Sequence, residues 1–331
     1  MTFIQKDDLS KEKLNFRIIE NNLEDVINES SIFIKGWFSI KDLLIYEDKI
    51  FISLNKKISK NCYNTSVFYA QLELDYTTFK EFFSSPDCIK VTSDGTKSSP
   101  YLDNEDTNDY VSNHNAHQSG GRMIMIDNKN LLLSLGEYRN RILAQDKDSI
   151  FGKILKINII DQTYTIFSTG LRNTQGLFLS NDTIISTDHG PKGGDEINII
   201  EESNNYGWPI SSYGEHYDGK FREEAPLYNS HQEHGYVEPV KYFNPSIGIS
   251  QIISLYYDGK KSSENSYLVT SLKDKSIHLL DFDHDYKEIL SEKRIDIGER
   301  IRDIIYIKDT GQYILVLEDT PSLGIVNLQI K

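Results

Sequence analysis

The chain consists largely of short apolar runs that come in pairs and are separated by polar turns. In each pair, one apolar run is followed by a turn of Asp, Asn, Gly or Lys, and then by a second run that ends in a polar loop. This pattern is typical of antiparallel β-hairpins. Five copies of the unit can be aligned, at residues 41–54, 122–135, 176–186, 252–271 and 302–317.

A third apolar run follows each copy and predicts a third strand. These runs are residues 66–70, 153–157, 196–200, 276–280 and 324–328. A fourth strand follows most copies, as at residues 163–167. Four antiparallel strands in a repeated unit predict an all-β fold, a β-propeller with five recognisable blades. No long amphipathic helical pattern lies between the units, which argues against an α/β fold.

The repeats also predict the domain organisation. Residues 1–30 are polar and weakly patterned, with one strand expected near Phe16. We therefore expect an N-terminal segment over residues 1–30 and a single propeller domain over residues 31–331. The acidic stretch from 93 to 115, rich in serine and asparagine, predicts a long loop. Loops after equivalent strands of a propeller lie on one face, so polar residues at these strand ends should converge on one mouth.

Composition excludes several classes of function. The net charge of -14 over 331 residues disfavours nucleic-acid binding. No apolar run approaches the length that spans a membrane, and the N-terminus has no signal-peptide h-region. The two cysteines, Cys62 and Cys88, match no metal-binding spacing. They are expected to be two isolated thiols, with a disulfide as the alternative in an oxidising compartment.

Two neighbouring stretches concentrate the chemistry, residues 170–176 (GLRNTQG) and residues 188–196 (DHGPKGGDE). Glycine and proline allow backbone carbonyls to face outward at close range. Arg172, His189, amides and exposed carbonyls together suit an anionic ligand and a hard metal ion. Each residue alone is ordinary turn chemistry, and the combination is what favours a site.

Several motifs occur in order from about residue 36 to the end of the chain. They are residues 117–122 (HQSGGR), 144–146 (AQD) with 152–155 (GKIL), 170–176, 189–198 (HGPKGGDEIN), 205–209 (NYGWP), 271–274 (SLKD) and 300–303 (RIRD). Together they resemble the soluble quinoprotein sugar dehydrogenases, the glucose/sorbosone dehydrogenase family, and most closely its aldose sugar dehydrogenase branch. The pair at 189–198 and 205–209 is the most specific of these motifs.

The resemblance implies a six-bladed propeller that binds pyrroloquinoline quinone and calcium. By similarity, His117 is the general base. The residues implied as cofactor contacts are Arg172, Asn173, Tyr217, Leu272, Lys273, Asp274, Arg300 and Arg302. The carbonyls of Gly190 and Pro191 are implied as ligands of the calcium beside the quinone, and Glu196 with the Tyr206 carbonyl as a second calcium site. The cofactor is a flat tricarboxylate, and arginine forks pair well with carboxylates.

Two features depart from the family pattern. Five blade repeats are recognisable where the family has six, so the first blade is missing or degenerate. At the position of a glutamine that lies at the cofactor in the family, this chain has Trp37. The replacement of that glutamine by Trp37 bears on cofactor affinity or substrate fit.

The implied activity is oxidation of an aldose sugar at the anomeric carbon to its lactone, with an external electron acceptor. The family is usually exported, so the resemblance implies a periplasmic or extracellular protein. A non-catalytic, calcium-stabilised propeller that binds a partner or a glycan is the first alternative. A calcium-dependent lactonase, with Glu137, Asp188 and Asn173 as its metal-binding side chains, is the second.

Overall fold

The structure is a computed structural model that describes residues 2–4, 16–29, 40–59, 62–73, 75–84, 87–90, 118–215, 226–257, 260–262 and 265–328. The loop predicted at 93–115, His117, Tyr217 and Trp37 lie outside these residues. The chain divides into two compact units. Unit 1 comprises residues 1–3, 17–174 and 202–209, and unit 2 comprises residues 4–16, 175–201 and 210–331.

The N-terminal segment contributes short elements in place of a full sheet. They are β1 (Thr2–Ile4), β2 (Phe16–Ile18), β3 (Glu20–Asn21) and the helix α1 (Leu23–Glu29). The side-chain oxygen of Asn21 accepts the Leu23 N–H at 3.0 Å, which satisfies one free donor at the start of the helix. Leu23 and Val26 of α1 pack against buried residues of the first sheet of unit 1.

The first sheet of unit 1 is an antiparallel meander with an added edge. Its strands are β4 (Ile40–Tyr46), β5 (Lys49–Ser59), β6 (Cys62–Gln71), β8 (Lys80–Phe83) and β9 (Ile89–Lys90), and the short β7 (Tyr76–Thr77) pairs with β3. Both β8 and β9 pair with β6. One face of the sheet, with Phe51 and Val67, packs into the main core cluster of the unit.

The expectation of two isolated thiols is wrong, because Cys88 is disulfide-bonded and no free cysteine occurs among the described residues. The other cysteine of the chain is Cys62. The backbone of β9 brings the two positions together, since Lys90 pairs with Cys62 and Ile89 pairs with Tyr63. This pairing joins residues far apart in sequence, and neither strand end carries a local pattern that predicts it.

The second sheet of unit 1 has four strands in sequential order. They are β10 (Gly120–Met125), β11 (Asn130–Leu135), β12 (Lys153–Asn158) and β13 (Tyr164–Ser168). The loop between β11 and β12 contains a 3-10 turn at Arg141–Ala144. Leu131, Leu133 and Leu155 are fully buried in the core cluster that this sheet shares with the first.

Unit 2 contains three further antiparallel sheets. The first has β14 (Thr174–Ser180), which begins at the last residue of unit 1, with β15 (Thr183–Asp188), β16 (Asp195–Ile200) and β17 (Lys241–Phe243). The second has β18 (Ile249–Ser254), β21 (Ser266–Ser271), β22 (Ser276–Phe282) and β23 (Ile289–Asp296), beside a hairpin of β19 (Tyr256–Tyr257) and β20 (Lys260–Lys261). The third has β24 (Ile301–Ile307), β25 (Gln312–Leu317) and β26 (Ser322–Val326). A 3-10 turn occupies Gln232–His234.

Each of the five predicted repeats thus forms one antiparallel sheet within the described residues, as the alternation of apolar and polar positions predicts. In four of the sheets the first strand pair shifts register near its start, between residues 40 and 42, 120 and 123, 249 and 252, and 301 and 303. A β-bulge redirects side chains and bends the strand. The bulge at 249–252 lies opposite Ser271, next to Leu272, Lys273 and Asp274, and the bulge at 301–303 contains Arg302.

Candidate functional site

In unit 1 the predicted cofactor residue Arg172 is buried and held by a side-chain network. With the Gln118 amide oriented to satisfy both neighbours, its oxygen accepts a hydrogen bond from Arg172 Nη2 at 2.8 Å and its nitrogen donates to Glu137 Oε1. The Glu137 N–H donates to the Arg172 carbonyl at 3.1 Å. Arg172 is 6% exposed, so its guanidinium is fixed by these contacts rather than by solvent.

The neighbouring residue Asn173 is tied to the same motif. Its Oδ1 accepts the Gly120 N–H at 3.2 Å. The Gln118 carbonyl accepts the N–H of Tyr138 at 2.9 Å. Residues 118–120 directly follow the predicted base His117, so the segment after the base is hydrogen-bonded to both Arg172 and Asn173.

The backbone that leads to Arg172 contacts a segment that a buried lysine, Lys153, stabilises. Gly170 N–H donates to the Ala144 carbonyl at 3.2 Å. The Lys153 ammonium donates to the Leu143 carbonyl at 2.7 Å and to the Phe151 carbonyl at 3.0 Å. Burial lowers the pKa of Lys153 to about 8, against the attraction of the nearby Asp146 carboxylate.

In unit 2 the loop of residues 188–196 is organised by a buried carboxylate. Asp195 is 0% exposed. Its Oδ1 accepts the Gly190 N–H at 2.9 Å, and its Oδ2 accepts the N–H groups of Gly248 at 2.7 Å and Ile249 at 3.0 Å. Asp195 therefore joins the loop that contains Gly190 to the start of β18.

The segment of residues 271–274 is attached to that same β18 region. Leu272 N–H donates to the Gly248 carbonyl at 2.7 Å, and Lys273 N–H donates to the Ile247 carbonyl at 2.9 Å. The Lys273 side chain is exposed, whereas Leu272 is buried. The backbone is thus fixed while the ammonium group of Lys273 remains accessible to a ligand.

Asp274, another predicted cofactor contact, is partly exposed and bonds to neighbouring side chains of the protein. Its Oδ2 accepts a hydrogen bond from Arg294 Nε at 2.7 Å and lies 3.1 Å from His278 Nε2, and it also bonds to Ser276 Oγ. Burial opposes ionisation of Asp274, but the bonds from Arg294, Ser276 and His278 outweigh it and lower its pKa. This carboxylate supports the loop beside Lys273.

Arg300 and Arg302 meet at one carboxylate, as alternation along a strand predicts for side chains on one face. Arg300 Nε donates to Glu318 Oε2 at 3.1 Å, and Arg302 Nε donates to Glu318 Oε1 at 2.6 Å. Arg302 Nη1 also donates to the Gln175 side chain at 2.8 Å. Both guanidiniums are partly exposed.

The predicted calcium loop has the donors that such an ion takes. A Cβ added at Gly190 would lie 2.6 Å from the Gly193 carbonyl oxygen and closer still to that of Gly194. The Pro191 carbonyl accepts a bond from Ser246 Oγ at 3.2 Å. Position 190 therefore has no room for a side chain, and backbone carbonyl oxygens are among the hard ligands that Ca²⁺ prefers.

The second predicted calcium position fits less well. Glu196 Oε1 lies 3.4 Å from His231 Nε2, and Glu196 Oε2 accepts a bond from Asn198 at 3.3 Å. The other implied ligand, Tyr206, is a buried residue of unit 1 whose N–H donates to the Thr169 carbonyl. Among the described residues, no group of three or more His, Cys, Asp or Glu is placed to hold a metal.

Sequence reasoning assigned no role to three residues that shape these sites, Gln118, Lys153 and Asp195. All three stand inside motifs that the sequence pointed to, and a polar residue within a glycine-containing motif is the available signal. Glu318 lies at one of the strand ends whose polar residues are predicted to converge on one mouth, but the sequence does not predict its contacts with Arg300 and Arg302.

Comparison with known proteins identifies the family of this chain. Residues 103–326 match the glucose/sorbosone dehydrogenase family. Since this match covers more than half of the chain, the chain belongs to the glucose/sorbosone dehydrogenase family. It is 31% identical over 221 residues to the aldose sugar dehydrogenase YliI of Escherichia coli, a match that covers 62% of this chain and 58% of that protein. The matched part thus spans less than two thirds of this relative's length.

Solved structures show the fold. The apo-form of the soluble aldose sugar dehydrogenase from Escherichia coli superposes with a TM-score of 0.69 at 23% identity, covering 90% of this chain and 85% of that one. The PQQ-bound aldose sugar dehydrogenase of Streptomyces coelicolor superposes with a TM-score of 0.57 at 17% identity, covering 88% and 77% of the two chains. The fold is an all-β propeller, with five blades among the described residues, as predicted. No helix of the described residues is long and apolar enough to cross a membrane.

Proposed function

We propose that this chain is a quinoprotein dehydrogenase that oxidises an aldose sugar at its anomeric carbon to the lactone. The observation that carries the proposal is the hydrogen bonding of residues 118–120 to Arg172 and Asn173. These bonds link the segment that follows the proposed base, His117, to two proposed cofactor contacts. Such linkage holds catalytic groups and a cofactor in a fixed relation.

The proposed cofactor is pyrroloquinoline quinone. When bound, it supplies a hydride acceptor for the sugar's anomeric carbon. On the chain's side, the proposed contacts in unit 1 are Arg172 and Asn173, and those in unit 2 include Lys273, Arg300 and Arg302. Their donors suit a tricarboxylate, because guanidinium forks bond carboxylates in pairs. Leu272, Asp274 and Tyr217 complete the proposed set.

The proposed metal is calcium, held by the Gly190 and Pro191 carbonyls. A divalent cation at this position would add positive charge beside the cofactor and polarise a carbonyl as a Lewis acid. Asp195 supports the loop from behind through the Gly190 N–H. Glu196 and the Tyr206 carbonyl form the proposed second calcium site, which rests on the family resemblance.

The proposed role of His117 is to take the proton of the anomeric hydroxyl while the C–H hydrogen leaves with its electron pair. The carbon becomes a carbonyl carbon, so the sugar loses two electrons and two hydrogens and leaves as the lactone. An imidazole titrates near neutrality and can serve as such a base. An external electron acceptor, not identified by the structure, would receive the electrons afterwards.

The disulfide at Cys88 supports the proposal of a periplasmic or extracellular location. Disulfides persist in oxidising compartments and are rare in the cytosol. This observation is independent of the family resemblance, which implies export for a different reason.

Turnover tests the proposal. Purified wild-type protein is incubated with calcium and the quinone, and aldoses are then assayed with an artificial electron acceptor. We expect lactone formation in the wild type and a loss of about a hundredfold or more in His117→Ala. Lys308 is exposed in the turn that follows β24, and the control variant Lys308→Gln should keep full activity. Calcium-dependent stability without quinone binding or turnover would instead favour the non-catalytic propeller.

A further inference from the structure

Two buried arginines of unit 1 contact the same aromatic ring. The Cζ atom of Arg172 lies 5.3 Å from the centre of the Trp208 ring, and the Cζ atom of Arg141 lies 5.9 Å from it. Arg141 is 8% exposed and Trp208 is 5% exposed. The ring face attracts each cation, yet two like charges against one buried ring also repel each other. The ring face therefore lies against two guanidinium groups.

The fold fixes the position of the ring on both sides. Trp208 N–H donates to the Gly170 carbonyl at 2.9 Å, in the loop that leads to Arg172. The Trp208 carbonyl accepts a bond from Gln145 Nε2 at 2.6 Å, just after the 3-10 turn that begins with Arg141. The ring and the backbone segments that carry the two arginines are therefore held as one assembly.

A second, independent observation points to a ligand. Within the part of the chain that the structure describes, the buried indole nitrogen Nε1 of Trp208 has no hydrogen-bond partner. An indole N–H can only donate, and a buried donor without an acceptor is rare in native proteins. A donor in need of an acceptor, on a ring contacted by two guanidiniums, selects an oxygen-rich anion.

We propose that Arg141 and Trp208 form, next to Arg172, a binding position for a ligand carboxylate. The planar guanidinium fork and the flat ring match the planar, two-oxygen shape of a carboxylate. This inference rests on the proposed function, because the ligand is a molecule of that reaction. The carboxylate belongs either to the tricarboxylate quinone or to a sugar-acid substrate such as a hexuronate, and the two sources are separable by experiment.

The experiment measures binding, not turnover. Calorimetric titrations use pyrroloquinoline quinone, a hexuronate and a neutral hexose, each added to wild type, Arg141→Gln and Arg141→Lys in calcium buffer. Lys147→Gln removes one positive charge from an exposed residue close by in the sequence and is the matched control. The chain has two tryptophans. Trp37→Phe therefore leaves Trp208 as the single fluorophore, which reports hexuronate binding at the ring itself.

We expect Arg141→Gln to weaken one carboxylate ligand by about tenfold or more, while Lys147→Gln binds like the wild type. Weaker quinone binding assigns the position to the cofactor, and weaker hexuronate binding with unchanged quinone binding assigns it to the substrate. Arg141→Lys keeps the charge without the fork, so it should recover only part of the loss. The neutral hexose should bind equally to all variants.

Three results separate this proposal from the proposed function. Unchanged binding of both carboxylate ligands by the two Arg141 variants overturns the carboxylate position, even if the quinone binds tightly. Hexuronate binding that depends on Arg141, in a protein that binds no quinone, keeps the position and removes the quinoprotein assignment. A wild type that binds neither carboxylate ligand overturns both.

Discussion

The Asp195 carboxylate accepts the Gly190 N–H at 2.9 Å from inside the protein, while the Gly190 carbonyl belongs to the proposed calcium loop. The same carboxylate accepts the N–H groups of Gly248 and Ile249. One buried side chain thus determines how the loop and the start of β18 are joined.

Asp195→Asn should lower the free energy of unfolding by about 3 kcal/mol. The amide has one acceptor oxygen, so its NH₂ group would face at least one buried backbone N–H, and a charge-assisted bond would be lost. Urea denaturation followed by circular dichroism measures the change. Asp182→Asn, at an exposed position in the turn before β15, should change the midpoint very little. Equal midpoints for the two variants would contradict the role of Asp195.

Gly190→Ala should destabilise the protein by about 2 kcal/mol, because the new methyl group would collide with backbone oxygens that have little freedom to move. The carbonyl oxygens of Gly193 and Gly194 are the groups it would meet. Calcium-dependent thermal stabilisation should be lost in the same variant. Gly324→Ala is the matched control, since its Cβ would meet only side-chain atoms, at 3.2 Å or more. Full calcium stabilisation in Gly190→Ala would speak against a metal at this loop.

Lys153 should make stability depend on pH in alkaline solution. Burial lowers its pKa to about 8 in the folded protein, below the ordinary value of 10.5 in the unfolded chain. Between these values the unfolded chain binds more protons, so the free energy of unfolding should rise as the pH increases from 8 toward 10, by up to about 3 kcal/mol. Below pH 8 both states are protonated, and this contribution is constant.

Lys153→Met isolates that effect. Guanidinium denaturation at pH 7.5 and pH 9.5 gives the stability of the wild type and of Lys153→Met. The difference between the two proteins should move in favour of the wild type at the higher pH. Lys156→Met, three residues further along β12 and partly exposed, should show no such movement. A difference that is the same at both pH values would show that Lys153 keeps its ordinary pKa.

Cys88→Ala should lower the free energy of unfolding by about 3 kcal/mol under oxidising conditions. The cross-link closes a long loop and removes conformational freedom from the unfolded chain. In the presence of a thiol reductant, the wild type and the variant should unfold at the same denaturant concentration. Two titratable thiols in the unreduced wild type would contradict the disulfide.

The strands of the blades could be predicted from the sequence, and the residues that hold the loops could not. Apolar runs separated by turns at regular spacing locate β10, β11 and β12, because most residues of these strands are buried. The role of Asp195 depends instead on N–H groups more than fifty residues away, and an acid in a glycine-rich loop looks the same when it is solvated. Arg141 likewise carries no sequence signal for stacking on Trp208, because that contact spans 67 residues of chain. The α1 helix, Leu23–Glu29, was missed because it lies in a weakly patterned segment and depends on Asn21 and on the first sheet.

The measurement that tests the central claim most directly is an absorbance titration of the purified protein with pyrroloquinoline quinone in the presence of calcium. The account predicts saturable binding of one quinone per chain by the wild type. It predicts binding weaker by about tenfold or more in Arg172→Gln and in Arg302→Gln, and unchanged binding in Lys308→Gln. The absence of saturable binding by the wild type, or equal binding by all four proteins, would contradict the account.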